Sequence, residues 1–242
     1  MKIYDPLKIT FPCFIQPKLN GVYAELEPGG IFVSRTGKFF PAVQEAQPGI
    51  TNSTDYSLKG EFYVHGWPLQ KIISAVMPKK PNELSSQIPY YVYDTSSEDL
   101  PQYIRFQQIP ANFPKVTTVL IRNHSEGDYY YRQFLSQGYE GAVYRPYTFG
   151  ELLKRKPFKD AEFLCTGVVE GIGKRRGHVG KFQLKTPEGK SFNCGGGRVS
   201  YKELAKLLVD PPIGKMITVR YQHTSEDGIP QCAQFIAVRD YE

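Results

Sequence analysis

Between Phe163 and Arg239 the chain consists of short apolar stretches broken by glycine-rich turns. KFQLK and KSFNC flank Pro187-Glu188-Gly189, a turn signal with proline ahead of glycine. MITVRYQ and AQFIAVR alternate apolar and polar side chains, the period of a half-buried strand. SYKELAKLLV has helical spacing, with Ser200 at the N-cap position and Glu203 three places on, a capping-box pattern. Five strands and one helix in about 80 residues leave few closed arrangements, and a small OB-fold β-barrel is the expected one.

The preceding part reads as mixed α+β. GIFVSRTGKFF is strand, turn and strand, SLKGEFYVHG is a strand, and IPYYVYDTSS is a strand rich in Tyr and Val. PLQKIISAVM has apolar residues at helical spacing behind a proline. GDYYYRQFLSQGYEGAVYRP predicts a helix ending near Gly138, then a strand through Ala142 to Tyr144. Asn20-Gly21, between apolar runs, is a strong hairpin-turn signal. The basic stretch ELLKRKPFKDAEF marks a change in composition, so two domains are expected, 1–160 and 161–242.

The 30 basic and 24 acidic residues give a net charge of +6, which suits a polyanionic partner. Cys13, Cys165, Cys194 and Cys232 are scattered without a CxxC pair, which argues against zinc and against a disulfide framework. The opening MKIYDPLKITFPCF lacks the apolar run of a secretory signal, and no stretch approaches 18 apolar residues. The expectation is a monomer that is neither secreted nor membrane-bound, working in a reducing compartment such as the cytoplasm, or in a host cell if the source is a virus or phage.

One lysine at a bend is ordinarily a solvated residue. Lys18, however, heads an ordered set: Lys18-Leu19-Asn20-Gly21, Ser34 to Lys38, Lys59-Gly60-Glu61-Phe62, Val92-Tyr93-Asp94, Glu140 to Val143, and Leu152 to Lys156 followed by FKDAEF. Lys154 and Lys156, two apart, would share one face of a strand. In order and spacing this set resembles the covalent nucleotidyltransferases, and most closely the ATP-dependent DNA ligases. The resemblance continues through EGIGKRRGHVGKF and spans nearly the whole chain.

That resemblance implies an adenylation domain of antiparallel sheets with flanking helices, followed by the OB-fold barrel. It implies a ligase that seals 3′-OH/5′-phosphate nicks in duplex DNA through a lysyl-AMP intermediate and a DNA-adenylate. Lys18 would carry AMP from ATP. Lys154 and Lys156 would hold the α-phosphate, Tyr93 would stack on adenine, and Gln16 would read the adenine edge. Glu61 and Glu140 would take Mg²⁺ or Mn²⁺, with Glu61 also reaching the ribose. Arg35 would hold the ribose or the 5′-phosphate of the nick, and Arg239 would act on the pyrophosphate. Lys174, Arg175, Arg176 and Lys181 would grip the DNA backbone.

The chain departs from the family pattern at Asn20 (usually Asp), Tyr23 (Arg in many DNA ligases) and Gln231 (usually Arg). The same lysine chemistry also serves RNA ligases and mRNA-capping guanylyltransferases. The departures leave room for a different class too, a non-catalytic nucleic-acid binder derived from a ligase.

Overall fold

A computed structural model describes residues 1–225 and 227–239. The chain divides into two compact units, Met1–Lys156 and Pro157–Glu242, just ahead of the boundary expected from composition.

In the first unit the strands are β1 (Lys2–Ile3), β2 (Cys13–Lys18), β3 (Val22–Leu26), β4 (Phe32–Val33), β5 (Leu58–Phe62), β6 (Tyr90–Thr95), β7 (Val119–Ile121), β8 (Gly141–Pro146) and β9 (Leu153–Arg155). The helices are α1 (Pro41–Ala46), α2 (Leu69–Val76), α3 (Gln102–Gln108) and α4 (His124–Ser136). They build two sheets, ordered β1-β9-β8-β2-β7 and β4-β3-β5-β6. All pairings are antiparallel except β1 with β9.

Each sheet has one face in a hydrophobic core. Ala24, Leu26, Leu58, Phe62, Tyr90 and Val92 of the four-stranded sheet pack with Ile72, Ala75 and Val76 of α2. Cys13, Ile15, Ala142, Tyr144 and Leu153 of the five-stranded sheet pack with Phe134 of α4. Asn123 caps α4 by accepting from the Glu126 N–H.

The Asn20-Gly21 hairpin is corrected by this topology. β2 belongs to the five-stranded sheet and β3 to the four-stranded one, so the segment between them crosses from sheet to sheet. Gly21 is required by close approach and not by a turn: a Cβ there would lie 2.4 Å from the Phe62 carbonyl oxygen. Lys18 therefore sits at the seam where the two sheets meet.

The second unit contains β10 (Lys159–Glu170), β11 (Val179–Lys185), β12 (Ser191–Gly195), α5 (Tyr201–Val209), β13 (Met216–Tyr221), β14 (His223–Thr224), β15 (Pro230–Gln231) and β16 (Gln234–Arg239). β10-β11-β12-β16-β13 close into a five-stranded barrel. Phe182 and Phe235 stack inside it at 4.5 Å. Ser200 caps α5 by accepting from the Glu203 N–H, as the capping box predicts.

Candidate active site

Strand register collects most of the sequence-derived residues on one surface. Gln16 pairs with Val143, Lys18 with Gly141, Phe14 with Arg145, and Val143 with Lys154. Paired residues share a face and alternate residues return to it. Gln16, Lys18, Arg145 and Lys154 thus occupy the face opposite the α4 core. Arg155, on the α4 side, lies over the rings of Tyr4 and Tyr131. On the four-stranded sheet Glu61 pairs with Tyr23, away from that sheet's core.

Lys18 is 18% exposed and its Nζ lies 2.6 Å from Glu140 Oε2. Lys156 donates to the other oxygen of the same carboxylate. The Glu140 N–H also donates to the Lys18 carbonyl at 3.2 Å, so backbone and side chain both hold the pair. Gly141 next to it has φ +154°, and a Cβ there would meet the Arg155 carbonyl oxygen at 2.1 Å. Only glycine lets β8 and the end of β9 approach closely enough for one carboxylate to touch both lysines.

The two carboxylates are driven in opposite directions. Burial raises the Glu140 pKa, but Lys18 and Lys156 outweigh burial and hold it below the usual carboxylate range. Two opposite unit charges 4 Å apart attract by about 4 kcal/mol at an effective dielectric of 20, which is why two lysines prevail. Glu61 is more deeply buried, and burial raises its pKa despite the opposing effects of Lys18 and of the Gly21 N–H, which donates to Glu61 Oε2 at 3.1 Å.

Tyr93 is nearly buried, and burial holds its phenol far above its usual pKa, with Glu61 acting the same way. The guanidinium of Arg145 lies 4.8 Å from its ring centroid. Arg35 is exposed on the turn after β4 and lies 4.8 Å over the Tyr23 ring. The Tyr23 hydroxyl is anchored on Glu25. Gln16 is buried, donating to Thr118 Oγ1 at 2.8 Å and accepting from Arg145 Nε at 2.6 Å. Lys154 is half-buried on β9.

The remaining sequence-derived residues are in the barrel unit. Arg239 donates from Nε to Glu162 Oε1 at 2.9 Å and to Thr218 Oγ1 at 2.8 Å. Gln231 is on β15 and donates to the Ile229 carbonyl. Lys174, Arg175 and Arg176 are exposed on the loop between β10 and β11, and Lys181 is exposed on β11. Glu170 closes that loop by accepting from the Gly177 N–H at 2.7 Å.

Two arginines that sequence reasoning passed over, and Asp94, which it named without assigning a role, belong to these surfaces. Arg145 and Asp94 form a buried ion pair at 3.0 Å beside Tyr93. Arg198, after the run Gly195-Gly196-Gly197, lines a cavity of about 220 Å³ together with Arg175 and Tyr201. Parity with Lys18 on β2 and Gly141 on β8 was the available signal for Arg145. A glycine run feeding a capped helix was the signal for Arg198.

Residues 170–239 match the family described as DNA ligase OB-like domain. DNA ligases of African swine fever virus isolates are 29–30% identical over 269 aligned positions, spanning 93% of this chain and 63% of theirs. In sequence the chain is similar to these DNA ligases over nearly its whole length. Among solved structures, a Lig E DNA ligase superposes with a TM-score of 0.82 at 22% identity, covering 98% of this chain and 97% of that one. The Chlorella virus DNA ligase-adenylate gives a TM-score of 0.53 at 23% identity, covering 100% and 96%. These likenesses show a two-unit α+β fold with an OB-like second unit. The chain spans about 63% of the length of its viral relatives. No helix among the described residues is long and apolar enough to cross a membrane.

Proposed function

We propose that this chain is an ATP-dependent DNA ligase that seals nicks carrying a 3′-OH and a 5′-phosphate in duplex DNA. The observation that carries the reading is the Lys18–Glu140–Lys156 cluster at the seam of two sheets, with Glu61 near Lys18 and Glu140 and Tyr93 near Glu61. A lysine nucleophile must lose a proton before attack, and the carboxylates facing Lys18 are the groups placed to take it. Of the two, Glu61 is the better acceptor, because burial raises its proton affinity.

In the first step Lys18 Nζ forms a bond to the α-phosphorus of ATP, and the bond to the β-phosphate oxygen breaks to release pyrophosphate. Lys154 and Lys156 neutralise the α-phosphate oxygens, the main requirement in phosphoryl transfer. Lys156 then exchanges Glu140 for phosphate. Tyr93 offers a neutral ring for adenine stacking. Arg35 addresses the 5′-phosphate of the nick or the ribose, and Arg239 the pyrophosphate. AMP passes from Lys18 to the 5′-phosphate, and the adjacent 3′-OH displaces it to make the phosphodiester.

Glu61 and Glu140 suit magnesium. They are hard oxygen donors that sense each other electrostatically, and among the described residues Glu140 Oε2 has no hydrogen-bond partner beyond its ion pair with Lys18. No group of three His, Cys, Asp or Glu gathers among the described residues, so phosphate and water would complete the shell, as magnesium ordinarily requires. When bound, the ion would offset the charge of the phosphates. Nicked DNA is the partner, gripped by Lys174, Arg175, Arg176 and Lys181, with Arg198 added by its shared cavity with Arg175. The proposed setting is the cytoplasm, or a host cell for a virus or phage protein, with the chain acting as a monomer.

The test is a nick-sealing assay with DNA or RNA on either side of the nick, alongside label transfer to the protein from [α-³²P]ATP and GTP. Sealing of DNA with label from ATP, both lost in Lys18→Ala, is expected. Label from GTP alone would point to a capping guanylyltransferase, and preference for RNA strands to an RNA ligase. No label from either nucleotide would leave a nucleic-acid binder.

A further inference from the structure

Beneath the proposed adenine platform lies a run of buried polar side chains that no step above uses. Arg145 is 3% exposed. Its Nε donates to Gln16 Oε1 at 2.6 Å and its Nη1 to Asp94 Oδ2 at 3.0 Å, while its guanidinium lies over Tyr93. Asp94 also accepts from Gln102 Nε2 and from the Thr95 N–H, each at 2.9 Å, and pairs with Arg105 Nε at 2.9 Å. Burying so many polar groups is costly unless each is satisfied, and an apolar cluster would stabilise as well. What the network supplies is position.

We propose that Arg145, anchored by Asp94, is a positioning residue that sets base selectivity at the nucleotide site by fixing the amide of Gln16 and covering one face of Tyr93. The inference rests on the ligase reading and adds a specificity device to that same site.

Arginine only donates hydrogen bonds, so the Gln16 carbonyl oxygen must face Arg145. The amide nitrogen is thereby directed to Thr118 Oγ1, whose hydroxyl donates onward to the Val116 carbonyl at 2.9 Å. One Gln16 N–H is spent on Thr118 and one is left as a donor. Gln16 shares the face of β2 that carries Lys18. On the Watson–Crick edge, N1 of adenine accepts a hydrogen bond, whereas N1 of guanine carries a proton. A donor held toward N1 complements adenine and opposes guanine, and the same amide turned over would reverse the preference at that atom. With Arg145 on one face of Tyr93, only the other face is left for a base.

Label transfer to the full chain from [α-³²P]ATP and [α-³²P]GTP, measured as kcat/KM for each, tests this in Gln16→Glu and Arg145→Lys. Gln16→Glu keeps an acceptor for Arg145, so the packing is retained, but it has no N–H left to offer. Arg145→Lys keeps a charge for Asp94 but cannot bridge Gln16 and Asp94 while lying flat on Tyr93. The ATP-over-GTP preference should fall by roughly tenfold or more in both, mainly through KM for ATP. Retention of the wild-type ratio in either folded variant overturns the proposal. So does an equal loss with both nucleotides accompanied by a lower thermal midpoint, which marks a structural role only. If Arg145→Lys does not fold, Gln16→Glu decides alone. A wild-type chain that takes no label from either nucleotide contradicts the ligase reading itself, and this inference falls with it.

Discussion

Glu140 Oε2 lies 2.6 Å from Lys18 Nζ, and the other oxygen of the same carboxylate accepts from Lys156. One carboxylate thus bridges two lysines that would otherwise repel each other. Removing it takes from two largely buried lysines the carboxylate they share. Glu140→Ala should reduce nick sealing by roughly 100-fold or more, the scale on which a transition-state charge partner acts. Sealing at the wild-type rate would sink the role assigned to Glu140.

The raised pKa of Glu61 makes a stability prediction. A carboxyl whose folded pKa lies above its unfolded value opposes folding once ionised, so this cost grows as pH rises through the folded pKa and vanishes in acid. Glu140, with a depressed pKa, behaves oppositely: its contribution is present at neutral pH and is lost as pH falls through the folded pKa. Glu61→Gln should therefore raise the thermal midpoint at neutral pH while abolishing transfer of AMP to Lys18. Calorimetry and a labelling assay on one preparation check both halves, and a lower midpoint at neutral pH would contradict the burial argument.

Tyr23 gives Arg35 a shelf. The ring is fixed by its hydroxyl on Glu25, and the exposed Arg35 guanidinium lies 4.8 Å above it. The position where many family members carry arginine here supports one from a neighbouring turn. Tyr23→Leu should weaken discrimination between 5′-phosphate and 5′-hydroxyl nicks by about 5–10-fold, equivalent to the 1 kcal/mol or more of a cation–π contact. Tyr23→Phe keeps the ring and should retain most of it. Equal behaviour of the two variants in a nick-binding assay would reject the shelf.

Backbone proximity at Gly141 is equally testable. Gly141→Ala forces a Cβ against the Arg155 carbonyl at a φ that side chains rarely adopt. It should cost about 2–4 kcal/mol in urea unfolding and impair AMP transfer, because Glu140 is displaced with it. An unfolding free energy equal to wild type would refute the crowding account.

In the barrel unit, Arg175 and Arg198 line one cavity. If both contact DNA phosphates, replacing each by Ala should lower the slope of log affinity against log salt by about 1. A slope unchanged in the double variant would remove this pair from the DNA surface.

Much of this arrangement is legible in the residues. The barrel follows from strand spacing and the Ser200 capping box, because both are local. Lys18, Lys154 and Lys156 are traceable because strand parity turns a sequence interval into a shared face. The Asn20-Gly21 turn misleads because sheet membership is set by long-range pairing: β2 takes β7 and β8 as neighbours, β3 takes β4 and β5, and no hairpin forms. Asp94 and Arg145 are 51 positions apart, so their ion pair exists only once the two sheets are assembled. Tyr23 looks like the loss of an arginine until Arg35 is found over its ring.

The most direct measurement is the intact mass of the purified chain after incubation with ATP and Mg²⁺, followed by peptide mapping. A single added AMP on Lys18, discharged by nicked DNA with concurrent sealing and absent in Lys18→Ala, is the predicted result. An unmodified chain, or AMP carried on any other residue, would contradict the assignment of Lys18 as the nucleophile.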